Sequence, residues 1–535
     1  MSSPDPWNNG TRFAQDLLNW QPPLNSADAD FKRGWQSDRA RARELSWRDP
    51  YGLNSVTITQ DALVGKHFRL SLKPDADALG VDDTTAHTWA QMMERDWRRY
   101  AEGVTFDADA KRQNTFTLQM RTVVGAFHMD GEALGIVQAK EGHAGYTTCL
   151  QLIEAERLTD PTDVASRSKR IRHGIESDDM GEPIAYHIRK RHPSDAGWVD
   201  GVGLASQVER VPRSTSWGRP IVLHLYDEPR PAMSRGVARF VAVARQMKQL
   251  ATYSEAELER NIIQASFGAV IESQLDYEEA MALLGAKGGS TFGNNLTDAA
   301  MDHLKTVAPF YKEVGLKVGG SRVVNLIPGE SVKLLQPQGM ATDYEKFEAA
   351  TLRQLAAGLN VPYESLARNF SDTSYSAARM SLADIWRSFL TRREMISQKF
   401  AMPFVSAWME ECLVTGRQSL PNGKLATLEE FCKLRHALVR GGFISWTKPL
   451  IDPVKERTAQ QMGMALGLTT MEAEAAADGD DWDELLMQRK REKERRKELK
   501  LDPEDLDPTL MFSGAGARPK TSGPAKNTQG GNTAE

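Results

Sequence analysis

The stretch NVPYESLARNFSDTSYSAARMSLADIWRSFLTRR (residues 360–393) holds a short polar cluster and, directly after it, the start of a long apolar pattern. Residues 371–375 carry four hydroxyl groups and one carboxylate, without glycine, proline or an aliphatic side chain. The apolar pattern repeats at helical spacing and predicts a helix over 376–414, about 58 Å long at ~1.5 Å per residue. We expect Pro403 to kink this helix. The predicted buried face consists of Leu382, Ile385, Trp386, Phe389, Leu390, Ile396, Phe400, Phe404, Trp408 and Cys412.

The bulk composition indicates a globular protein of several units. A chain of 535 residues exceeds one ordinary core, so roughly two to four structural units are expected. No apolar run is long enough to cross a membrane, and the N-terminus MSSPDPWNNGTRF has no apolar signal segment. Cys149, Cys412 and Cys432 form no CxxC pair, which excludes a disulfide framework and suits a reducing compartment.

The net charge is −5. Proteins that grip nucleic acid statically usually carry a basic surplus, so any DNA contact of this chain should be local or weak.

The first half of the chain predicts an α+β unit with a mainly antiparallel sheet. Residues 54–64 and 88–103 have helical patterns, and DPYG at 49–52 predicts a turn. Short strands are predicted at 133–139, 148–158 and 220–228, with a hairpin over 172–191. Helices flanking such a sheet give the α+β class.

The second half is predominantly helical. Apolar residues repeat at helical spacing from Ser234 onward and again from Thr342, where Asn360-Val361-Pro362 ends the helix. Residues 489–500 (RKREKERRKELK) hold eight basic and three acidic side chains. This run could bind nucleic acid, although alternating charge on a terminal helix is more often a solvated surface.

No catalytic motif stands out. The sequence has no GxxxxGK[ST], HExxH or GxSxG pattern, and its histidines show no metal spacing. Ser166 and Lys169 match SxxK, but they lie in a polar stretch where a chance match is expected. Asp178 and Asp179 lie in the predicted hairpin turn, where paired acids are ordinary. We therefore expect no catalytic residues, no metal and no cofactor.

Several separated motifs resemble lambda-type tailed-phage portal proteins. The opening stretch resembles a YExLxRN(Y/F) run of that family, followed by an SYSxAR run and a long helix. Four further segments resemble the family in the same order: DALVGKHFRLSLKPD at 61–75, KRQNTFTLQMR at 111–121, GGSRVVNLIPGESVKLL at 319–335 and AAGLNV at 356–361. The resemblance covers roughly residues 30–490.

The resemblance implies a homo-oligomeric ring, usually a dodecamer, at one capsid vertex in the virion. Double-stranded DNA would pass through its centre during packaging and ejection. The implied partners are the terminase large subunit, a head-completion (adaptor) protein, and the major capsid and scaffold proteins, without a membrane. Assembly would take place in the host cytoplasm.

The portal fold, with long helices and small mainly antiparallel sheets, divides this chain into the parts that portal proteins share. These are an N-terminal arm (1–30), an α+β wing (31–233), a first stem helix (234–275), a clip (276–335), a second stem helix (336–368), a tunnel loop (369–376), a long kinked wing helix (377–427), a helical crown (428–500) and a disordered tail (501–535).

The tunnel loop would line the narrowest part of the DNA channel. Small neutral hydroxyls can exchange water-mediated contacts with phosphates without trapping the DNA. The same residues can cap the helix that follows, either as their whole role or together with channel lining. Arg368 and Arg379 flank the loop and could contact phosphate or form intersubunit salt bridges. The predicted lining residues are Asn369, Ser371, Asp372, Thr373, Ser374, Tyr375 and Ser376.

Two other classes of protein compete with a DNA conduit. One is an enzyme: a hydrolase using Ser166 and Lys169, or a nuclease using Asp178 and Asp179. Neither pair has a further catalytic partner in the sequence. The other is a different virion assembly factor, such as a scaffold, against which the long proline-containing helix and the clip-like insert argue.

Overall fold

The computed structural model describes residues 23–32, 34–161, 170–197, 207–266, 270–273, 330–333, 341–371, 374–445 and 452–499. Its α-helices are α1 (Ala27–Lys32), α2 (Trp35–Arg48), α3 (Pro50–Leu63), α4 (Ala76–Leu79), α5 (Asp83–Ala101), α6 (Phe116–Asp130), α7 (Ala244–Ser266), α8 (Ala341–Leu359), α9 (Tyr363–Ala367), α10 (Tyr375–Ile396), α11 (Met402–Val414), α12 (Leu428–Leu438), α13 (Pro453–Ala465), α14 (Met471–Ala477) and α15 (Trp482–Glu498). Its strands are β1 (Arg69–Leu72), β2 (Glu132–Ala139), β3 (Thr148–Ile153), β4 (Ile171–Arg172), β5 (Ile175–Ser177), β6 (Pro183–Arg189), β7 (Val208–Pro212), β8 (Val222–Tyr226), β9 (Val270–Ser273), β10 (Glu330–Lys333) and β11 (Gly441–Ile444).

Two small antiparallel sheets organise the first half of the chain. One has the strand order β3-β2-β8 and the other β4-β5-β6-β7. Leu134 and Ile136 of the first sheet share a buried cluster with Ile175, Tyr186 and Ile188 of the second, so the sheets pack through apolar side chains. The predicted α+β class is confirmed, and strands and a hairpin lie at the predicted places.

The largest core is built around Trp97 of α5. Its ring contacts those of Phe116 in α6 and Trp408 in α11, at centroid distances of 5.0 and 5.2 Å, and that of Phe443 in β11 at 6.2 Å. All four side chains are buried. Aromatic pairs at these distances add to the free energy of burial, so this cluster joins helices from opposite ends of the chain.

The predicted turn at 49–52 is wrong, because these residues begin helix α3. The Asp49 carboxylate accepts hydrogen bonds from the backbone N–H groups of Tyr51 and Gly52, both at 2.9 Å. Pro50 occupies the first turn, where its missing N–H costs nothing. A Cβ on Gly52 would lie 2.2 Å from the Leu45 carbonyl oxygen, so glycine here permits the close approach of α2 and α3.

A buried charge cluster joins the first sheet to the chain that leads into α7. Glu132 at the start of β2 is fully buried and pairs with Arg39 of α2 and Arg235. His224 of β8 lies 2.8 Å from its carboxylate. Burial by itself raises the pKa of Glu132, but Arg235 and Arg39 outweigh this effect and hold the pKa well below its usual range. The carboxylate is therefore ionised at neutral pH.

The cluster explains why the helix predicted from residue 234 begins ten residues later. Arg235 is fully buried and donates to the carbonyls of His173 and Ala155 as well as to Glu132. The following Gly236 packs against the backbone of Gly131 so closely that a Cβ would lie 2.0 Å from its carbonyl oxygen. An α-helix starting at 234 cannot satisfy these contacts, and α7 starts at Ala244.

Helices α7 and α8 form an antiparallel hairpin. At its base, Met247 and Leu250 share a buried cluster with Leu352 and Leu355. Farther along, Tyr253 packs against Tyr344 and Phe347, with ring centroids 5.5 and 4.8 Å apart. Strands β9 and β10 continue the hairpin as an antiparallel pair. The described hairpin therefore runs from its base at the Leu352 and Leu355 cluster to the β9/β10 pair.

The predicted long helix occupies nearly the expected residues. Helix α10 continues through a π-helical turn, Ser397–Ala401, into α11. The sequence predicts a kink at Pro403, and the π turn lies directly before this proline. Proline lacks the N–H of a regular helical bond and its ring clashes with the preceding turn, which a π turn accommodates. Of the predicted buried face, Leu390 is exposed and the residues from Ile396 onward are buried.

The region predicted as a helical crown (428–500) contains both buried and exposed elements. Phe431 and Leu438 of α12 and Phe443 of β11 belong to the large core, and β11 pairs with β1. Helices α13 and α15 contain no buried residue. Helix α12 and strand β11 therefore pack in the large core, and the crown boundary at 428 stays a prediction.

Other predicted parts lie largely outside the described residues. Of the arm (1–30), the described end is partly helical, and Asp28 accepts hydrogen bonds from the backbone and hydroxyl of Ser234, both at 2.9 Å. Only β10 of the clip (276–335) is described, and the tail (501–535) lies outside. The division into wing, stem, clip and crown stays a prediction.

Substituting Glu132→Gln tests the buried charge cluster. The change removes the ion-pair partner that the buried Arg235 has among the described residues and leaves Arg39 paired with Glu156 alone, which should lower the free energy of unfolding by about 3–5 kcal/mol. Chemical denaturation followed by tryptophan fluorescence measures this decrease. Glu228→Gln, at an exposed carboxylate, is the matched control and should change the stability by less than about 0.5 kcal/mol. Equal stability of the two variants would contradict the role given to Glu132.

His128 should make the protein acid-sensitive. Its ring is fully buried between α3 and Phe240, and burial, aided by Arg239 and Arg392, lowers the pKa to about 3. The unfolded chain binds a proton below its ordinary pKa of about 6.5 whereas the folded chain does not, so this contribution is complete above pH 6.5 and is lost as the pH falls below it.

The measurement compares the wild type with His128→Gln at pH 7.5 and 5.5. The stability advantage of the wild type should shrink by about 1.4 kcal/mol between the two values, since one pH unit below the unfolded pKa corresponds to that energy. A difference that stays constant over this range would show that His128 does not remain neutral in the folded protein.

Candidate DNA-channel segment

The predicted tunnel loop lies between α9 and α10, at the base of the α7/α8 hairpin. After α8, Asn360 adopts a left-handed conformation (φ 55°) and the chain turns into α9. With its amide assigned so that the oxygen faces α10, the Asn360 side chain accepts hydrogen bonds from Arg392 at 2.6 Å and from Ser388 at 2.7 Å. Asparagine tolerates the left-handed region better than most residues, so one side chain both makes the turn and links the two helices.

Asn54 of α3 holds the start of the loop in place. Its side-chain amide donates to the carbonyls of Ser365 and Leu366, at 2.9 and 3.0 Å. Its oxygen accepts a hydrogen bond from the Arg368 guanidinium at 3.0 Å. The buried Leu366 anchors the same turn in the cluster at the hairpin base. The segment therefore leaves a rigid platform rather than a flexible connection.

The described loop residues are exposed, and their hydrogen bonds are local. The Asn369 side-chain oxygen accepts from the backbone N–H and the hydroxyl of Ser371, at 3.0 and 2.6 Å, which forms an Asx turn. Ser374 is the N-cap of α10, and its hydroxyl accepts from the Ala377 N–H at 3.3 Å. Ser376 is exposed in the first turn of α10.

Of the two predicted roles, capping is confirmed for Ser374 alone. Ser371 contacts Asn369 rather than the helix, so its hydroxyl does not cap α10. Asp372, Thr373 and the side chain of Tyr375 lie outside the described residues. Channel lining by the segment stays a prediction.

The two arginines that flank the loop, Arg368 and Arg379, differ in their contacts with the rest of the chain. Arg368 adopts a left-handed conformation (φ 53°) and is tied to Asn54, which fixes its direction. Arg379 is exposed and has no ion pair with any residue in the described part of the chain. Arg379 is therefore the one of the two that is available to an external anion or to a carboxylate of another chain.

Two exposed apolar side chains, one within the loop and one in the second turn of α10, were missed by the sequence reasoning. Phe370 is 61% exposed and Met380 is 76% exposed. Met380 lies about 200° around α10 from Leu382 at ~100° per residue, so a helical projection would have placed it away from the buried face. Large apolar side chains so placed are typical of surfaces that another protein covers.

The other residues considered for catalysis have structural roles or lie outside the description. Ser166 and Lys169 are outside the described residues. The Asp178 carboxylate accepts backbone hydrogen bonds from Met180 and Glu182, at 2.9 and 2.7 Å, and so stabilises the hairpin turn. Asp179 is 3.2 Å from Arg170 in an exposed ion pair. This outcome confirms the turn interpretation of the paired acids.

One group of possible metal ligands occurs in the described residues. Ligand atoms of Glu154, Glu156 and His192 lie within 4.8 Å of one another. The Glu156 carboxylate is already paired with Arg39 and Arg43, so its charge is compensated within the chain. Two remaining, partly exposed ligands do not make a metal centre.

Comparisons with known proteins agree with the sequence motifs. The family profile described as "Phage portal protein, lambda family" matches residues 14–393. The portal protein of Escherichia phage N15 is 32% identical over 497 residues, covering 92% of this chain and 91% of the relative. Portal protein B of Escherichia phage lambda is 30% identical over 497 residues, covering 92% and 90%.

Solved structures show a weaker likeness. A chain in the neck of a native gene transfer agent particle has a TM-score of 0.43 and 13% identity, covering 88% of this chain and 98% of that one. A portal protein of the HK97 family from Corynebacterium diphtheriae has a TM-score of 0.30 and 9% identity, covering 66% and 88%.

The fold is that of a structural protein with an exposed polar loop on a helical platform. The chain belongs to the lambda family of phage portal proteins, and its function is that of a portal protein in a phage particle. No helix in the described part of the chain combines the length and the apolar character that crossing a bilayer requires.

Ser374→Ala tests the cap at the end of the loop. Removal of the N-cap hydroxyl should lower the free energy of unfolding by about 1 kcal/mol. Ser376→Ala, two residues into the helix, removes a hydroxyl of the same kind without removing the cap and should change the stability by less than about 0.5 kcal/mol. Denaturant unfolding of both variants measures the difference, and equal effects would contradict the cap.

Proposed function

We propose that the chain forms a dodecameric ring at one capsid vertex, through which double-stranded DNA enters during packaging and leaves during ejection. The terminase large subunit docks on it during packaging, and a head-completion protein replaces the terminase afterwards. Major capsid and scaffold proteins surround it during assembly in the host cytoplasm. The ring remains in the virion, has no catalytic activity of its own and contacts no membrane.

The observation that carries the channel role is the exposed hydroxyl segment on its rigid platform. Ser371, Ser374 and Ser376 are exposed, and Asn54 and Asn360 fix the turns on either side of α9. A channel must contact DNA without holding it. Cations in every subunit would add a salt-dependent binding energy for each phosphate, whereas neutral hydroxyls exchange their contacts through water.

Exposed apolar side chains on the α7/α8 hairpin support the ring. Leu258 and Ile262 lie one helical turn apart on α7 and are 60% and 54% exposed, and Phe347 of α8 is 43% exposed. An elongated hairpin with such residues needs a partner surface, and a neighbouring copy supplies one in a ring. Head-to-tail contacts of this kind close when the rotation per subunit divides a full turn.

The absence of catalysis is supported by the site residues themselves. The paired acids Asp178 and Asp179 are engaged in a turn and an ion pair. An active site needs a nucleophile or base with an orienting partner in a cleft, and these residues lie on an exposed hairpin tip.

Light scattering and negative-stain imaging of the purified protein test the ring directly. Twelve copies of the 59.5-kDa chain give about 714 kDa, with a central hole. A chain that stays monomeric both alone and when co-expressed with its capsid protein would contradict the proposal. A small defined oligomer that degrades DNA or hydrolyses an ester would replace the conduit with an enzyme.

Lysine substitutions in the loop test the channel. Because Ser374 caps α10, the substitutions avoid it and are Ser371→Lys, Thr373→Lys and Ser376→Lys. Three added cations per subunit should leave the ring intact and lower the yield of DNA-filled capsids at least tenfold, because cations in the channel bind the passing DNA. Each new phosphate contact should steepen the slope of log K against log salt by ~0.9. Quantifying packaged DNA against assembled capsids measures this decrease.

The matched control places the same three lysines on exposed hydroxyl positions elsewhere: Thr84→Lys, Thr88→Lys and Thr458→Lys. Packaging by the control should equal that of the wild type. Normal packaging by the loop variant would end the channel-lining role while leaving the ring untouched. Equal defects in both variants would point to added charge in general rather than to the segment.

A further inference from the structure

The ion pairs that join the last described helix, α15, to the rest of the described chain all come from its first turn and cap. Asp481 caps it by accepting from the N–H groups of Asp483 and Glu484. Glu484 pairs with Arg69 and Arg98, at 3.2 and 3.3 Å. From Leu486 onward every side chain except that of Arg496 is exposed. The second half of the helix is therefore presented to its surroundings.

The charges on this half are mixed along the sequence but separated around the helix. Arg489, Lys493, Arg496 and Lys497 have the spacing i, i+4, i+7 and i+8, which places them within about 100° on one face, and we call these four residues the basic stripe. The acids Glu492, Glu494 and Glu498 lie outside this face, about 40°, 60° and 100° beyond its edges at ~100° per residue.

The acids are engaged elsewhere. Glu498 pairs with Arg495 at 2.9 Å, and Glu492 accepts a hydrogen bond from Gln488 at 3.1 Å. Glu494 lines a groove against Arg95 and Arg98 of α5. No residue of the basic stripe forms an ion pair with any residue in the described part of the chain. Four cations on one face thus lack an internal partner.

We propose that the basic stripe binds the phosphate backbone of double-stranded DNA. The proposal deepens the proposed portal function, on which it rests, by adding a DNA-binding surface outside the loop. The stripe is about 12 Å long at ~1.5 Å per residue. A duplex of that length carries about seven phosphates at one per ~1.7 Å, which suffices for four cations.

Charge complementarity favours DNA over other occupants. The stripe contains no apolar or aromatic side chain, so it offers a protein partner or a stacked base little to bury, whereas phosphates need only positive charge. The chain as a whole carries a net charge of −5, so the binding is local, weak and independent of sequence. Such binding suits DNA that must remain movable.

The last-turn position of Arg496 and Lys497 also stabilises the helix C-terminus through its dipole. This effect accounts for two of the four cations. Arg489 and Lys493 lie one to two turns earlier, where the dipole no longer reaches, and they complete the same face.

The test measures the binding of the full-length protein to a fluorescent 30-base-pair duplex of random sequence by anisotropy, over a range of salt concentrations. The stripe variant is Arg489→Gln, Lys493→Gln, Arg496→Gln and Lys497→Gln. We expect Kd to rise at least tenfold near 0.1 M salt. The slope of log K against log salt should fall by about 2–4, at ~0.9 for each phosphate that the variant no longer neutralises.

Two controls separate the stripe from charge in general. The first removes four exposed cations elsewhere, as Arg41→Gln, Arg48→Gln, Arg213→Gln and Lys433→Gln, and should bind like the wild type. The second exchanges neighbours, as Glu492→Lys with Lys493→Glu and Lys497→Glu with Glu498→Lys. It keeps the composition of the helix and lowers the net charge of the stripe from +4 to 0, so it should bind as weakly as the stripe variant.

Unchanged duplex binding by the stripe variant, or a decrease in affinity equal to that of the first control, would overturn the proposal. A change in oligomeric mass without a change in duplex binding would assign the stripe to an acidic protein surface instead. Negative-stain imaging of the same preparations distinguishes a failure of the stripe proposal from a failure of the proposed portal function. Intact rings with unaltered DNA binding would reject the stripe and leave the portal function in place.

Discussion

The carboxylate of Glu132 accepts hydrogen bonds from three separate parts of the chain. These bonds fix how the first sheet, helix α2 and the base of the α7/α8 hairpin are arranged. Arg39 comes from α2, His224 from β8 and Arg235 from the segment before α7. A buried carboxylate is tolerable only when it is paired, so these elements must meet at one point. Since Arg235 has to reach that point, the α-helix α7 begins only at Ala244, after a 3-10 turn at Arg239–Ala242, and the base of the α7/α8 hairpin lies against the first sheet.

Side-chain packing and hydrogen bonds connect the base of the hairpin to the loop and fix the position of the loop. The hairpin cluster includes Leu366 of α9, and the side chains of Asn54 and Asn360 bind the turns that enter and leave this short helix. Helix α10 then runs back to the large aromatic core through the π turn before Pro403. The described part of the loop is thus held between two cores, which provide the stability that its exposed side chains do not.

The charges of the protein differ between its two candidate DNA-binding surfaces. In the loop, the exposed polar side chains that the structure describes are neutral. They are Asn369, Ser371, Ser374 and Ser376, and neutral side chains suit a surface past which a polyanion slides. On α15 four cations share one face, and this suits a surface that a polyanion touches and leaves. A net charge of −5 is compatible with both surfaces, because neither requires the whole protein to be basic.

The sequence by itself determined the features that depend on neighbours in the chain. Helical and alternating periodicities gave the α+β class, the long helix and the hairpin turn at Asp178, and separated motifs indicated the family. The tertiary structure decided what depends on partners far apart in sequence. It turned DPYG into a helix start, buried Arg235 against Glu132, and paired β1 with β11. It also showed that the basic stripe lacks ion-pair partners among the described residues. Periodicity is a local property, whereas a buried ion pair or a strand partner is specified only when distant segments come together, and this is the physical reason for the division.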